Sequence, residues 1–174
     1  MNNNGGDKLS TNTSYEFAST EDREILNEML YTEDYQNLNG HNIRFALIYV
    51  TTEDNKTGAV LPTFKNLPYK VKYNSAKDRL LKKIDVEIQI DTEYWDDLKD
   101  IEKQAVIDGA LNQIIIVEKK GMPVYNDDGT VKIKLKKPDM VYEGFSEIAE
   151  KYGSDSPEIK KYRHLNSEFE GILV

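Results

Sequence analysis

Cysteine is absent from this 174-residue sequence, and histidine occurs only as His41 and His164. Without cysteine there is no disulfide bond, no thiolate metal ligand and no cysteine nucleophile. With two histidines far apart in the chain, a three-ligand zinc site would need several carboxylates, and a Ser-His-Asp triad has little scope. Neither a Gly-x-Ser-x-Gly elbow nor a glycine-rich phosphate loop occurs. The sequence therefore offers none of the common hydrolase or nucleotide-binding motifs.

Long hydrophobic runs are also missing. The longest, residues 114–117, is far shorter than the roughly 20 residues of a membrane helix. Residues 1–8 lack the apolar stretch of a signal peptide, so we expect the protein to stay where it is made. The net charge of −8 argues against binding driven by nucleic-acid phosphates. The same acidity is compatible with a channel through which DNA passes without adhering.

The composition is nevertheless that of a folded domain, since hydrophobic residues make up 39% of the chain. We expect a polar N-terminal arm over residues 1–18, an α+β domain over residues 19–153, and a C-terminal helix and tail over residues 154–174. The start of the arm is dense in Asn, Gly, Ser and Thr, so it would be mobile by itself. We expect contacts outside the chain to hold it.

The expected domain begins with a helix and several strands. Ser19 and Asp22 form a capping pair at the start of the helix. Alternating or clustered apolar side chains predict strands over residues 43–51, 69–73 and 84–91. In the last of these, apolar residues alternate with acidic or amide residues, which is typical of an edge or half-exposed strand.

The second half is expected to contain a long helix and a hairpin. The helix should run from residue 99 to residue 119 and end at Gly121, with Trp95 anchored in the core just before it. A hairpin should turn at residues 126–129, and Asp139 should cap a last main helix. The fold class is therefore α+β, with a small mixed or antiparallel twisted sheet packed on a long central helix.

Three segments together resemble the putative phage metallopeptidase family, a zincin-like group. They are residues 25–30 (ILNEML) with 43–47 (IRFAL), residues 85–90 (DVEIQI) with 94–98 (YWDDL), and residues 103–113 (KQAVIDGALNQ). The order and spacing of the three segments carry the resemblance. It covers roughly residues 20–153 and implies a zincin-like domain.

In that family the third segment carries His-Glu-x-x-His on a helix, where the histidines bind zinc and the Glu activates its water. Gly109, Ala110 and Gln113 stand at these positions, and the third ligand, expected near residues 137–139, is not a histidine either. The resemblance thus implies no catalytic residue, metal ligand or cofactor. Glycine inside a helix costs about 0.5–1 kcal/mol relative to alanine. We therefore expect Gly109 and Ala110 to let another element fill the former cleft.

Other candidate sites have plainer readings. Residues 126–129 (NDDG) could suggest a calcium loop, but the spaced acids and closing Glu of an EF-hand are missing, so a hairpin turn is favoured. An acidic cluster around Trp95 could suggest a cation site, although charges at a helix start explain it better. The cluster comprises Asp91, Glu93, Asp96, Asp97 and Asp100.

A lysine-rich stretch near the end of the domain also has two readings. Lys132, Lys134, Lys136 and Lys137 could form a phosphate-binding ribbon, but a solvated strand face with lysines guarding its edge is favoured. His41 and His164 are expected to be a loop residue and a surface residue, respectively.

The function implied by the resemblance is structural. We expect a non-catalytic building block of a tailed bacteriophage virion, as one subunit of a ring in the neck or tail, made in the bacterial host cytoplasm. The polar arm, the apolar residues 171–174 and the acidity favour a ring. A crAss-like phage is one source that the resemblance suggests.

The expected partners are copies of the chain and neighbouring portal, neck or tail proteins. DNA would pass through the lumen, and no membrane, specific nucleic-acid sequence or small-molecule substrate is expected. Two other functions stay open. One is a soluble protein-binding pseudoenzyme that is not part of the particle, and the other is a hydrolase that uses carboxylates and a metal other than zinc.

Overall fold

The computed structural model describes residues 10–137, and a mixed five-stranded sheet is its largest element. The strands are β1 (Thr11–Phe17), β2 (Phe45–Asp54), β3 (Val60–Leu61), β4 (Tyr69–Tyr73) and β5 (Val86–Asp91). Their order is β1-β2-β5-β4, with β3 paired to β2. β2 and β5 run parallel, and the other neighbours are antiparallel. The α+β class with a mixed sheet, expected from the sequence, is confirmed.

Short helices connect these strands, and two small strand pairs follow them. The helices are α1 (Thr20–Leu30), α2 (Gln36–Gly40), α3 (Ala76–Lys82), α4 (Thr92–Trp95) and α5 (Asp100–Asn112), with a 3-10 turn at Glu33–Tyr35. The later strands are β6 (Ile114–Ile116), β7 (Glu118–Lys119), β8 (Met122–Pro123) and β9 (Ile133–Leu135). β6 pairs with β9, and β7 pairs with β8. No helix in residues 10–137 is long and apolar enough to cross a membrane.

One face of the sheet carries the hydrophobic core. Leu47, Ile88 and Val71 stand side by side across β2, β5 and β4, and all three are buried. α1 and α5 add Leu26 and Ile107 to the same cluster. Since burying a large aliphatic side chain contributes about 1.5–3 kcal/mol, this layer fixes α5 against the sheet.

The start of α1 and three strands agree with the sequence predictions. The Ser19 hydroxyl accepts a hydrogen bond from the Asp22 backbone N–H at 3.1 Å, as the capping pair predicts. β2, β4 and β5 correspond to the strands predicted over residues 43–51, 69–73 and 84–91, with small differences at their ends.

β1 corrects the expectation of an arm over residues 1–18. Residues 11–17 pair with β2 over their whole length, from Thr11 opposite Asp54 to Phe17 opposite Ile48. The polar composition suggested an arm because it offers no apolar stripe to bury. An edge strand needs none, since the residue types Thr, Tyr and Phe favour extended backbone and all seven side chains lie at the surface.

β5 corrects a second expectation, because it is an interior strand between β2 and β4 and not an edge strand. The polar face of β5 is also not fully exposed to solvent. Glu87 is only 4% exposed, and its carboxylate accepts hydrogen bonds from Lys82 Nζ at 3.0 Å and Asn74 Nδ2 at 3.1 Å. The alternating acidic residues thus mark a buried polar cluster under α3.

The length predicted for the central helix, residues 99–119, is wrong. α5 ends at Asn112, and the run Ile114–Ile116 forms β6 against β9. Consecutive β-branched side chains favour a strand, and pairing with β9 gives them hydrogen-bonded partners. Gly121 does not stop a helix but sits at φ 75° in the tight turn between β7 and β8.

The hairpin turn predicted at residues 126–129 is confirmed. The Gly129 N–H donates to the Asn126 carbonyl at 3.0 Å, and Tyr125 forms a β-bridge with Val131. The strand after the turn continues into β9 and pairs with β6. The helix predicted at Asp139 and the C-terminal helix and tail over residues 154–174 lie outside the described residues.

Candidate functional site

The positions that the family resemblance assigns to metal binding lie in the second half of α5. Ala110 is completely buried, while Gly109 and Gln113 are half-buried. The hydroxyl oxygen of Tyr69, the first residue of β4, lies only 2.7 Å from where a Cβ on Gly109 would stand. The Gln113 side chain lies near the same hydroxyl and lowers its pKa. Tyr69 therefore occupies the space beside Gly109.

Tyr69 is held there by packing and by the strand pairing of β4. Its ring contacts the hydrophobic core, and β4 pairs with β5 so that Tyr69 stands opposite Ile90. Burial raises the pKa of the Tyr69 phenol above 10, and the hydrogen bond with Gln113 only partly opposes that change. The side chain is thus a neutral phenol at physiological pH.

These residues do not fit the metal that the family implies. A zinc site needs imidazole, thiolate or carboxylate ligands, and a base or a polarising Glu beside the bound water. At residues 109, 110 and 113 the chain offers a hydrogen atom, a methyl group and a neutral amide. Within residues 10–137 no three His, Cys, Asp or Glu side chains converge as a metal site would require.

A second contact fastens α5 next to Gly109. The Tyr35 hydroxyl donates to the Asp108 carboxylate and approaches the Asp108 carbonyl oxygen at 3.1 Å. Burial and the hydrogen bond to Asp108 raise the pKa of Tyr35. Tyrosines from two different parts of the chain therefore flank Gly109: Tyr35 hydrogen-bonds to Asp108, and Tyr69 lies beside Gly109 itself.

The first half of α5 contains a charged centre instead. The Asp22 side chain is buried and accepts hydrogen bonds from Trp95 Nε1 at 2.7 Å, from Lys103 Nζ at 3.0 Å and from the Tyr49 hydroxyl. Burial raises the pKa of Asp22, but these three hydrogen bonds outweigh it and hold the pKa below 3.8. The ionised carboxylate thus joins α1, β2, α4 and α5.

A third polar group lies at the other end of the sheet. Arg44 donates to Asp85 through Nε at 2.9 Å and Nη2 at 2.7 Å, a bidentate pair. Buried Arg79 donates to the Asp128 carboxylate at 2.6 Å. Asp128 also accepts from the Thr130 N–H at 3.0 Å. The NDDG segment is therefore a turn tied to α3, and Asp128 is used in an ion pair and in turn contacts.

The remaining candidates are scattered over the molecule. Asp91 caps α4 by accepting from the Glu93 N–H and also accepts from the Thr63 N–H at 2.6 Å, so this member of the acidic cluster organises local backbone. Lys136 donates to Asn112 at 3.0 Å. His41 lies in the turn after α2, with its ring 6.3 Å from Tyr125 across a cleft of about 270 Å³. His164 lies outside the described residues.

Sequence reasoning did not identify Tyr69 or the Asp22 centre. Asp22 was noted only as a partner in the helix cap, and Tyr69 only as the start of a strand. The one usable signal was Gly109, because a glycine in a helix interior indicates the close approach of another group. It indicates that something approaches but not which residue does.

The fold and these contacts define a structural class of protein. It is an α+β domain in which a mixed sheet packs on a short helix, and a tyrosine from an edge strand packs against that helix. A family model described as putative phage metallopeptidase matches residues 14–168. The chain belongs to this family. No curated protein and no solved structure matches the chain.

Proposed function

We propose that this chain is a non-catalytic member of the phage metallopeptidase family that acts through protein contacts, as a structural component of a tailed-phage virion. The observation that carries the proposal is the position of the Tyr69 hydroxyl, which lies 2.7 Å from where a Cβ at residue 109 would stand. A metal-binding side chain at this helix position would require Tyr69 to leave.

The chemistry of the flanking contacts supports this reading. The groups around Gly109 are a neutral phenol and a nearby amide, and the Tyr35 hydroxyl donates to Asp108. These contacts order the helix surface around Gly109. We infer that a domain with this arrangement acts through its shape and its binding surface for other proteins.

Within a virion, we propose that the chain is a ring subunit of the neck or tail that contacts copies of itself and adjacent portal, neck or tail proteins. The family's phage setting supports the phage origin. The net charge of −8 supports a wall along which DNA passes without binding. Such a protein is made in the host cytoplasm and ends in the particle. A crAss-like phage remains the suggested source.

The test is quantitative mass spectrometry of density-purified virions, before and after a high-salt wash. We expect the chain at a fixed number of copies per particle, retained through the wash together with the portal and tail proteins. An abundant phage protein that is not part of the particle serves as the control and should be lost. If this chain is lost with it, the virion role is wrong.

A further inference from the structure

The outer edge of the sheet at β1 lacks the features that usually keep edge strands apart. Natural edges are commonly guarded by lysine, proline or a bulge. β1 contains none of these, and Glu16 is its only charged residue. The opposite edge, β4, carries Lys70 and Lys72 in five residues. The two edges of one sheet thus differ in protection, and all seven residues of β1 are exposed.

Hydrogen bonds at the two ends of β1 show which backbone groups face outward. The Ala18 N–H donates to the Leu47 carbonyl at 3.0 Å, and the Asn55 N–H donates to the Ser10 carbonyl at 2.9 Å. In an antiparallel pair such bonds involve every second residue. Even-numbered residues of β1 therefore bond to β2, and the odd-numbered ones direct their N–H and C=O away from the sheet. These are Thr11, Thr13, Tyr15 and Phe17.

The side chains of the same odd-numbered residues share one face of the sheet. Thr13 hydrogen-bonds across to Thr52 at 3.1 Å, and Tyr15 and Phe17 stand opposite Val50 and Ile48. The two aromatic side chains are 63% and 64% exposed. Among residues 10–137 no strand pairs with this outer edge, which therefore combines outward-facing backbone hydrogen-bonding groups with exposed aromatic surface.

We propose that β1 pairs antiparallel with β1 of a second copy of this chain, about a twofold axis through Ser14. In this register Thr13 lies opposite Tyr15 of the second copy, and Thr11 lies opposite Phe17. Every outward-facing N–H and C=O of the strand then has a partner. A register shifted to centre on Tyr15 would leave Thr11 without one.

The self-complementary register of β1 favours a second copy as the occupant, and its charges allow this pairing. The register places Glu16 opposite Asn12 of the second copy, so that the two carboxylates stay apart and an amide faces each of them. Like charges directly opposite would destabilise the pair. A twofold contact of this kind closes on itself. It is therefore additional to any contact that builds a ring, and it does not rest on the proposed function.

The register can be tested by cross-linking, because the natural sequence contains no cysteine. Two Ser14 residues at a non-hydrogen-bonded antiparallel position would have Cα atoms about 4.5 Å apart, within the range that a disulfide spans. We expect the full chain with Ser14→Cys to form a covalent dimer under mild oxidation. Asn12→Cys, whose copies lie at opposite ends of the pairing, should not cross-link. Cross-linking of both variants, or of neither, would overturn the proposal.

Sedimentation of the full chain provides the second measurement. We expect a wild-type dimer of twice 20.0 kDa. Thr13→Pro removes an N–H that faces away from β2, so it should weaken the dimer at least ~10-fold while the folded protomer persists by circular dichroism. Glu16→Gln is the matched control and should remain dimeric. A monomeric wild type, or a dimer that Thr13→Pro leaves unchanged, would show that β1 is not the contact.

Discussion

The two halves of α5 use polar groups in opposite ways. In the first half, Lys103 forms an ion pair with buried Asp22, which also accepts a hydrogen bond from Trp95. In the second half, the neutral phenol of Tyr69 lies beside Gly109 and near the Gln113 side chain. Buried charge is thus kept where it joins four elements of the fold. At the positions that the resemblance assigns to metal, neutral groups fill the space.

The difference indicates which half carries structural constraint. A buried carboxylate with three donors cannot be removed without leaving those donors unpaired. A phenol packed beside a glycine can move or be trimmed at smaller cost. Substitutions at Asp22 should therefore destabilise the fold strongly, whereas substitutions around Gly109 should have moderate and mutually compensating effects.

The largest expected effect is that of Asp22→Ala. It leaves the Lys103 ammonium and the Trp95 indole N–H without their acceptor, and we expect the free energy of unfolding to fall by about 3 kcal/mol. Urea denaturation monitored by Trp95 fluorescence measures this change. Glu21→Ala, an exposed neighbour in the same helix turn, is the control and should change stability by about 0.5 kcal/mol or less. Equal losses in the two variants would contradict the role given to Asp22.

Acid should destabilise the protein through its buried carboxylates. Hydrogen bonds and ion pairs outweigh burial and hold the pKa values of Asp22 and Asp85 below 3.8 and that of Glu87 below 4.5. The unfolded chain therefore binds protons first as pH falls. The stability from these groups is fully present above those ordinary values and is lost as pH falls through the lower folded-state values.

Denaturation at a series of pH values checks this dependence. Asp22→Asn, which cannot ionise, should be less stable at neutral pH and should lose less stability on acidification than the wild type. A pH dependence identical to that of the wild type would show that the Asp22 pKa is not depressed in the folded protein.

A moderate loss is expected for Gly109→Leu. The added side chain must displace Tyr69, and overpacking of this kind costs about 1–3 kcal/mol. Ala105→Leu is the matched control, because Ala105 lies on an exposed part of the same helix and should tolerate the change. If the two variants unfold at the same urea concentration, the space beside Gly109 is not filled as described.

The smallest expected effect is a coupling between residues 109 and 69. In Gly109→Ala, the higher helix propensity of alanine should stabilise the protein, but the close contact of its Cβ with the Tyr69 hydroxyl should cancel that gain. In a Tyr69→Phe background that hydroxyl is absent, and the same substitution should become stabilising. We expect a coupling energy of about 1 kcal/mol in the double-mutant cycle. If the effects of the two substitutions are strictly additive, Tyr69 does not contact residue 109.

Local sequence signals predicted the local parts of the fold. Ser19 and Asp22 fixed the start of α1, and alternating apolar side chains identified β2, β4 and β5. These features depend on residues a few positions apart. The end of α5 was missed because helical periodicity was extended into the isoleucine run of β6, whose strand geometry depends on distant β9.

The site depended on contacts that no local pattern encodes. Asp22 lies 73 residues from Trp95 and 81 from Lys103 in the chain. Tyr69 belongs to strand β4, whereas Gly109 belongs to helix α5. A helical glycine could indicate a close approach, but only the packing of β4 against α5 identifies the residue that approaches.

The most direct test of the central claim is the metal content of the full chain, purified without chelators and analysed by elemental mass spectrometry. We predict transition metal far below one equivalent per chain, unchanged after dialysis against zinc and then buffer. A metalloprotease of known content, treated in parallel, should retain about one equivalent. One tightly held equivalent in this chain, lost on removal with a chelator together with any peptidase activity, would contradict the account.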